Sequence, residues 1–261
     1  EIAVEQFLGL DLDASLGPAR LSFDGHRFLA VEIGDALFAA GQRDVLRAGR
    51  VRVGLGPLAL LAGRVKVGSV LIEDARLAAD ALPAGDGNWL SGVANADGLV
   101  DPDLFTKTLI AALRQAIEAI ESGSTRSIEL KRIEISLPMG SGSPTSVVIT
   151  DASLQLVRPG EVKLAIEADV AGHLVKVAGT ARQSATSRHL AALDLTVEGA
   201  PKATGPVAPG KAGIAGLKLR ISGEEGVDGE ASRLTIAATV DEAVVPVDSK
   251  DSLVADATVN A

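Results

Sequence analysis

The sequence predicts a mainly β protein: an antiparallel sheet with one long amphipathic helix packed on it. Apolar and polar residues alternate with period two through most of the chain, as they do in half-buried strands. Gly and Pro turn signals separate these runs at short intervals, which is typical of a meander rather than of βαβ units. One segment has a helical period instead. The length of 261 residues allows one large domain or two small ones.

Alternating runs come before and after the helical segment, and each places its aliphatic residues on one face. In the N-terminal part, the residues that we expect to share a face are Val51, Val53, Leu55, Val65, Val67, Val70 and Ile72, with a bend at Gly68. In the C-terminal part, they include Leu164, Ile166, Leu195, Leu219 and Ile236. The motif "SVLIEDARL" at 69–77 returns as "SVVITDASL" at 146–154 with six of nine positions identical. The chain therefore looks assembled from similar sheet-forming units.

The helical segment covers about 101–122. Asp101 is a candidate N-cap, Pro102 suits the first helical position, and Gly123 is a candidate C-cap. Apolar residues recur every three or four positions and should bury a stripe against the sheet. The stripe residues expected to pack on the sheet or cap one end of it are Phe105, Leu109, Leu113, Ile117 and Ile120, with Ala112 and Ala116 between them.

A soft boundary follows the helix. We expect one β unit with the helix over residues 1–123 and a further β unit over residues 124–261. A single sheet running through this boundary is the open alternative.

Composition excludes several kinds of site. The chain has no Cys, which rules out disulfides and thiolate metal ligands. Aromatic residues make up 2% and the net charge is −9, so nucleic-acid binding is not expected. The histidines His26, His173 and His189 lack metal-ligand spacing, and no catalytic motif appears. We therefore predict no metal, no cofactor and no enzymatic activity.

Two acidic features and one aromatic residue have simple interpretations. Glu73 and Asp74 should point to opposite faces of a strand and so cannot work as a pair. The acidic segment 223–230 fits a solvated hairpin turn better than a calcium loop. The single tryptophan, Trp89, is interpreted as an anchor that pins a loop to the sheet.

The order of features between residues 10 and 90 resembles the N-terminal region of AsmA-like proteins of Gram-negative bacteria, including the YhdP and TamB relatives. In that family a strand leads to "P-L-x-L-L-x-G", then "V-x-V-x-x-V-x-I-x-x-A-x-L", then "G-x-x-N-W". The matching residues here are Pro57, Leu58, Leu60, Leu61, Gly63, Val65, Val67, Val70, Ile72, Ala75, Leu77, Gly85 or Gly87, Asn88 and Trp89. The resemblance covers the first third of the chain. Asp74 departs from it, because the family commonly has Pro there.

The resemblance implies a strongly curved, taco-like sheet with an aliphatic inner face. It also implies a periplasmic body anchored to the inner membrane, and carriage of phospholipid between the inner and outer membranes. Family members usually carry a membrane helix just before this region. Because the sequence starts at Glu1 and stops at Ala261, we expect it to be a piece of a longer chain whose missing N-terminal helix supplies the anchor.

The residues themselves support one part of this picture. Aliphatic strand faces without polar anchors suit acyl chains, which need apolar area and no directional bonds. We therefore expect phospholipid or another acyl-chain lipid as the partner, with the aliphatic residues named above lining the groove. The alternative is that these faces close on each other as the core of a structural or interaction module, with an envelope protein bound on a sheet edge.

Overall fold

Over the residues that the structure describes, the fold is one large open sheet with one helix. The computed structural model describes residues 13–23, 29–40, 43–56, 62–63, 66–78, 102–122, 125–137, 145–170, 172–201, 213–226, 232–247 and 251–260. Strands and helix follow in the order β1 Asp13–Ser15, β2 Ala19–Ser22, β3 Leu29–Ala40, β4 Arg43–Leu55, β5 Val67–Ala78, α1 Pro102–Ser122, β6 Ser127–Leu137, β7 Thr145–Arg158, β8 Glu161–Val170, β9 His173–Gln183, β10 Leu190–Pro201, β11 Gly213–Glu224, β12 Arg233–Val247 and β13 Asp251–Asn260.

The thirteen described strands form one sheet in nearly sequential order. From β3 to β13 every strand pairs with the next, and both short strands β1 and β2 pair with β3. All the described pairs are antiparallel except β5–β6, which is parallel. The prediction of an antiparallel sheet throughout is therefore wrong at this one place, and the sheet is mixed. The cause is α1, because a crossover connection that contains a long helix carries the chain from the end of β5 back to the level at which β5 began.

The helix forms where the sequence predicts it. It begins at Pro102, whose missing N–H costs nothing in the first turn, and continues to Ser122. Ile117 and Ile120 are completely buried, and Ile110 and Leu113 are nearly so. These side chains pack with buried residues of β8, β9, β10 and β11. The helix thus packs on the sheet, as expected.

A break in the alternation recurs at one level of the sheet. Asp35, Asp74 and Arg132 have positive φ values of 50, 54 and 54°, and they lie at the same level of β3, β5 and β6. After each such residue, the side of the sheet that successive side chains face is shifted by one position in sequence. Aliphatic residues therefore stay on one face when they follow the pattern h-x-h-x-x-h-x-h, in which h is an aliphatic residue and x is any residue. The motif of residues 69–77 has this pattern, and so has its repeat at 146–154.

Candidate functional site

The strand register builds a continuous aliphatic surface, because cross-strand partners point to the same side of a sheet. One row of partners crosses ten strands and consists of Ile33, Val51, Ile72, Leu130, Ala152, Ile166, Val177, Val197, Leu219 and Ala238. A second row lies two positions along and consists of Val31, Val53, Val70, Ile128, Leu154, Leu164, Gly179, Leu195, Ile221 and Ile236. We call the side of the sheet that carries both rows the aliphatic face.

The residues predicted to line a groove lie on this face. Val53, Val70, Leu164, Leu195 and Ile236 belong to the second row, and Val51, Ile72, Ile166 and Leu219 belong to the first. Leu55 and Val67 are partners one step further along β4 and β5. Val65 lies outside the described residues. The alternation in the sequence thus identified which residues share a face across strands far apart in the chain.

The opposite face carries charge. Its central row consists of Arg50, Glu73, Lys131, Asp151, Glu167, Lys176, Glu198 and Lys218, one from each strand from β4 to β11. Four of these side chains are cationic and four are anionic, so the row is neutral. Ion pairs join Arg50 to Glu73 at 3.1 Å and Lys218 to Glu198 at 2.7 Å. We call this side the charged face.

Helix α1 covers part of the aliphatic face. Its four buried side chains contact a cluster that includes Val162, Leu164, Leu193 and Leu195. The predicted stripe residues Leu113, Ile117 and Ile120 are among the four, and Leu109 packs against the cluster. Phe105 lies in the helix, but its side chain is outside the described part. Ile110 is buried and was not predicted, whereas Ala112 is exposed. The helix is therefore rotated slightly toward Ile110 relative to the predicted stripe.

Beyond the helix contacts, much of the aliphatic face is only half-buried. Val53, Leu55, Val67 and Val70 in β4 and β5 are in this class, and so is Leu219 in β11. A separate cluster in the N-terminal half is centred on the fully buried Ala36 and Ala48, with Phe38, Val45, Ala75 and Ile133. The two halves of the face thus differ, because the described helix packs on the C-terminal one.

Two polar contacts hold α1 to the sheet. Arg114 Nη1 lies 3.1 Å from Glu225 Oε1, at the end of β11. The other oxygen of Glu225 accepts the backbone N–H of Leu190 at 2.8 Å. Glu121 Oε1 accepts the backbone N–H of Gly160 at 2.5 Å, in the turn between β7 and β8. Sequence reasoning missed Glu225, because it treated the whole acidic segment as a solvated turn; residues 227–230 of that segment are outside the described part.

Glu73 and Asp74 do not behave as predicted. Both carboxylates contact the same guanidinium, that of Arg132: Asp74 Oδ1 lies 2.6 Å from it and Glu73 Oε1 lies 3.9 Å from it. The expectation that they point to opposite faces is wrong, because the positive φ of Asp74 breaks the alternation there. The bidentate hydrogen bonds from Arg132 hold the pKa of Asp74 below its usual value.

Carboxylates elsewhere on the charged face are also paired with cations. Arg52 donates a hydrogen bond to Glu32 at 3.0 Å, and this contact lowers the pKa of Glu32, with Arg50 adding to the effect. The hydrogen bond from Lys218 likewise lowers the pKa of Glu198. These carboxylates are stabilised as anions, so the arrangement is structural and offers no proton donor near neutral pH.

The remaining candidates for chemistry are few. His189 Nδ1 lies 3.5 Å from Glu225 Oε1, and His173 is exposed at the start of β9. His26 and Trp89 lie outside the described residues. In the part of the chain that the structure describes, no three His, Asp or Glu side chains come together as a metal site would require.

Comparison with known proteins adds no relative. No protein-family model, curated protein or solved structure matches the chain significantly. The likeness to AsmA-like proteins therefore stays a prediction. Within the described ranges, no helix has both the length and the hydrophobicity that a membrane span needs.

Proposed function

We propose that this chain handles phospholipid or another acyl-chain lipid on its aliphatic face, as part of an envelope protein anchored to the inner membrane and working in the periplasm. The observation that carries the proposal is the register. It brings one aliphatic residue from each of ten successive strands into a single row, and beside it lies a second row of nine aliphatic residues and Gly179. The row runs across the strands, so a guest chain lying along it meets apolar side chains over its whole length.

The chemistry of the face suits acyl chains rather than polar ligands. Strands lie about 4.8 Å apart, so a row across ten strands extends for about 43 Å, longer than one extended acyl chain. Each methylene that leaves water contributes about 0.8 kcal/mol without any directional bond. A lipid of either one or two tails could be held on the face, and its headgroup would remain in water.

A curved sheet is part of the proposal. Positions that interrupt the alternation are aligned across β3 to β6 at Asp35, Gly49, Asp74 and Arg132. Irregularities of this kind increase the local twist and bend a strand. An aligned column would bend several strands along one line and so turn a flat aliphatic face into a trough.

Lipid analysis of the purified protein, with a matched pair of variants, tests the function. Phospholipid in organic extracts, measured by mass spectrometry, is the expected result. The cross-strand partners Val177 and Val197 can both be changed to Thr, which keeps the shape but adds two hydroxyls to the face. V177T/V197T should retain less lipid. The control variant T196V changes the charged face, where Thr196 pairs with Arg220, and should retain as much lipid as the parent. No lipid in the parent, or equal retention in both variants, would contradict the proposal.

A structural or interaction module is the second candidate, and the sheet edge favours it. Strand β13 pairs with β12 and with no other strand among the described residues, so ten residues offer a free backbone edge. Such an edge can accept a strand from an envelope protein partner. This candidate predicts that the purified protein carries no lipid but binds a partner whose contact protects the β13 amides from hydrogen exchange.

A further inference from the structure

The site that α1 covers is on the same face as the proposed lipid site. The helix joins β5 to β6, yet the buried strand residues that share a cluster with its own side chains belong to β8, β9, β10 and β11. Its C-terminal turn meets the β7–β8 turn through Glu121, and its middle meets the end of β11 through Arg114. The helix therefore crosses the strands, parallel to the two aliphatic rows, as a guest acyl chain would.

The dimensions agree with this placement. Four steps from β7 to β11 cover about 19 Å. The 21 residues of α1 span about 32 Å, enough to cross all five strands. The side chains that the helix presents to the sheet are Ile and Leu, which are chemically equivalent to acyl methylenes.

We propose that α1 is a displaceable occupant of an acyl-chain site on strands β8 to β11, and that the Arg114–Glu225 ion pair latches it in place. This proposal rests on the proposed function and deepens it by stating where a lipid binds and what it must displace. Lipid and helix compete for the same side chains, among them Leu164 and Leu195. Because lipid binds only where the helix is displaced, the apparent affinity for lipid is the intrinsic affinity multiplied by the fraction of molecules in which the helix is displaced.

The latch is suited to this role because it links three elements. Glu225 follows β11, receives the N–H of Leu190 at the start of β10, and pairs with Arg114 of the helix. The side chain of Glu225 is 14% exposed and that of Arg114 is 41% exposed. Loss of the Arg114 charge leaves the link between β10 and β11 in place and removes one of the polar contacts that hold the helix.

The cysteine-free sequence allows a direct test. In the double variant R114C/E225C, a bismaleimide reagent would fix the helix to the end of β11. The matched control is the same protein with both thiols capped by N-ethylmaleimide. Binding is measured by titration with a phosphatidylcholine that carries one fluorescent acyl chain. We expect the capped protein to bind the probe and the crosslinked protein to bind at least about tenfold more weakly, because crosslinking removes the competent state.

The outcomes separate the two proposals. If neither form binds the probe while the fold, checked by circular dichroism, is intact, the lipid function itself fails. If both forms bind equally well, lipid binding stands and displacement of the helix is wrong. In addition, R114A should bind the probe about two- to fivefold more tightly than the parent, the range expected for a partly exposed ion pair, and R114K should resemble the parent. Unchanged affinity in R114A would exclude the latch.

Displacement also has a readout that does not depend on affinity. Spin labels on the cysteines of R114C/E225C report the distance between α1 and the end of β11 by electron resonance. Addition of phosphatidylcholine should lengthen this distance in a fraction of molecules that rises with lipid concentration. A distance that stays constant at saturating lipid would overturn the proposal.

Discussion

At the scale of single residues, the unusual feature is a set of charged side chains in left-handed backbone. Asp35, Asp74 and Arg132 have positive φ at the same level of β3, β5 and β6, where glycine would be the relaxed choice. Asp tolerates this conformation better than most residues, which explains two of the three positions. The third, Arg132, is paired with Asp74, so one ion pair joins two strained positions.

Substitution of Asp35 tests this strain. A β-branched residue is poorly suited to positive φ, so D35V should lower the free energy of unfolding by about 1–2 kcal/mol. The matched control is D151V, since Asp151 is also an exposed strand residue but has ordinary backbone dihedrals. It should be neutral or slightly stabilising, because Val favours strands. Urea unfolding of both variants gives the comparison, and equal effects would contradict the argument.

The ion pair of Asp74 predicts how stability responds to acid. The pKa of Asp74 is lowered in the folded protein, so the unfolded chain binds more protons below about pH 4. The stabilising contribution is thus complete above that pH and is lost as the pH falls through the lowered pKa. The same direction holds for Glu32 and Glu198.

Substitution of Arg132 by a neutral residue should therefore make the free energy of unfolding depend less steeply on pH in the acid range. R132Q is expected to be less stable than the parent at pH 7 and to lose less of its remaining stability between pH 5 and pH 3. R132K keeps the charge and should follow the parent curve more closely. Urea midpoints measured at several pH values give the slopes. If R132Q and the parent have parallel curves, the pair does not contribute to acid sensitivity.

At the scale of elements, two glycines on the aliphatic face differ in their surroundings. A Cβ atom at Gly179 in β9 would clash with the backbone oxygen of Asp194 and lie 2.8 Å from Cδ2 of Leu195. A Cβ atom at Gly199 in β10 would have nothing within 4 Å. Gly179 therefore allows β9 and β10 to approach with Leu195 lying over it.

The two glycines give a matched pair of variants. G179A should destabilise by about 1–3 kcal/mol, because backbone and a buried leucine would have to shift. G199A should be neutral or stabilising by up to about 1 kcal/mol, since it restricts the unfolded chain at no steric cost. Thermal unfolding of the two variants side by side distinguishes them. Similar losses in both would mean that strand propensity, not close approach, decides the effect.

The elements also show what a sequence can and cannot predict. The period of α1 and the alternation of the strands depend on neighbours in sequence, so helix bounds and face assignments were predicted well. The parallel β5–β6 pair is a long-range choice of partner, which alternation does not encode. The orientation of Glu73 and Asp74 was wrong because a single left-handed residue reverses the side on which all later residues lie.

The strength of helix packing decides whether a lipid could replace α1. Four buried aliphatic side chains, at about 1.5–3 kcal/mol each, give roughly 6–12 kcal/mol for the helix. An acyl chain of about sixteen methylenes, at about 0.8 kcal/mol each, gives roughly 13 kcal/mol. The two values are similar, so exchange of helix for lipid is close to balanced, and a single ion pair is enough to shift it.

At the scale of the whole molecule, the sheet is amphipathic across its full width. One face presents aliphatic rows over ten strands, and the other presents a row of four cationic and four anionic side chains over eight. The predicted boundary at residues 123 and 124 does not interrupt the sheet, because β5 and β6 pair across it. Whether residues 124–261 fold as an independent unit therefore depends on how much stability the rest of the chain contributes, because the strand pairing itself is not interrupted.

The placement of α1 gives an answer that can be measured. Residues 124–261 contain strands β8 to β11 but lack Ile110, Leu113, Ile117 and Ile120, which cover them. The loss of roughly 6–12 kcal/mol is comparable to the total stability of about 5–15 kcal/mol for an average domain. We expect the fragment 124–261 not to unfold cooperatively. The longer fragment 102–261 restores the helix and should regain a transition.

The comparison isolates the helix, because both fragments begin after β5 and so leave β6 without that partner. Far-ultraviolet circular dichroism in urea follows both. All five Phe and the single Trp precede residue 124 and the chain has no Tyr, so fluorescence would be blind to the shorter fragment. Equal midpoints for the two fragments would show that the sheet holds itself together without α1. That result would leave the helix free to move and would mean that the aliphatic face of β8 to β11 is stable when uncovered.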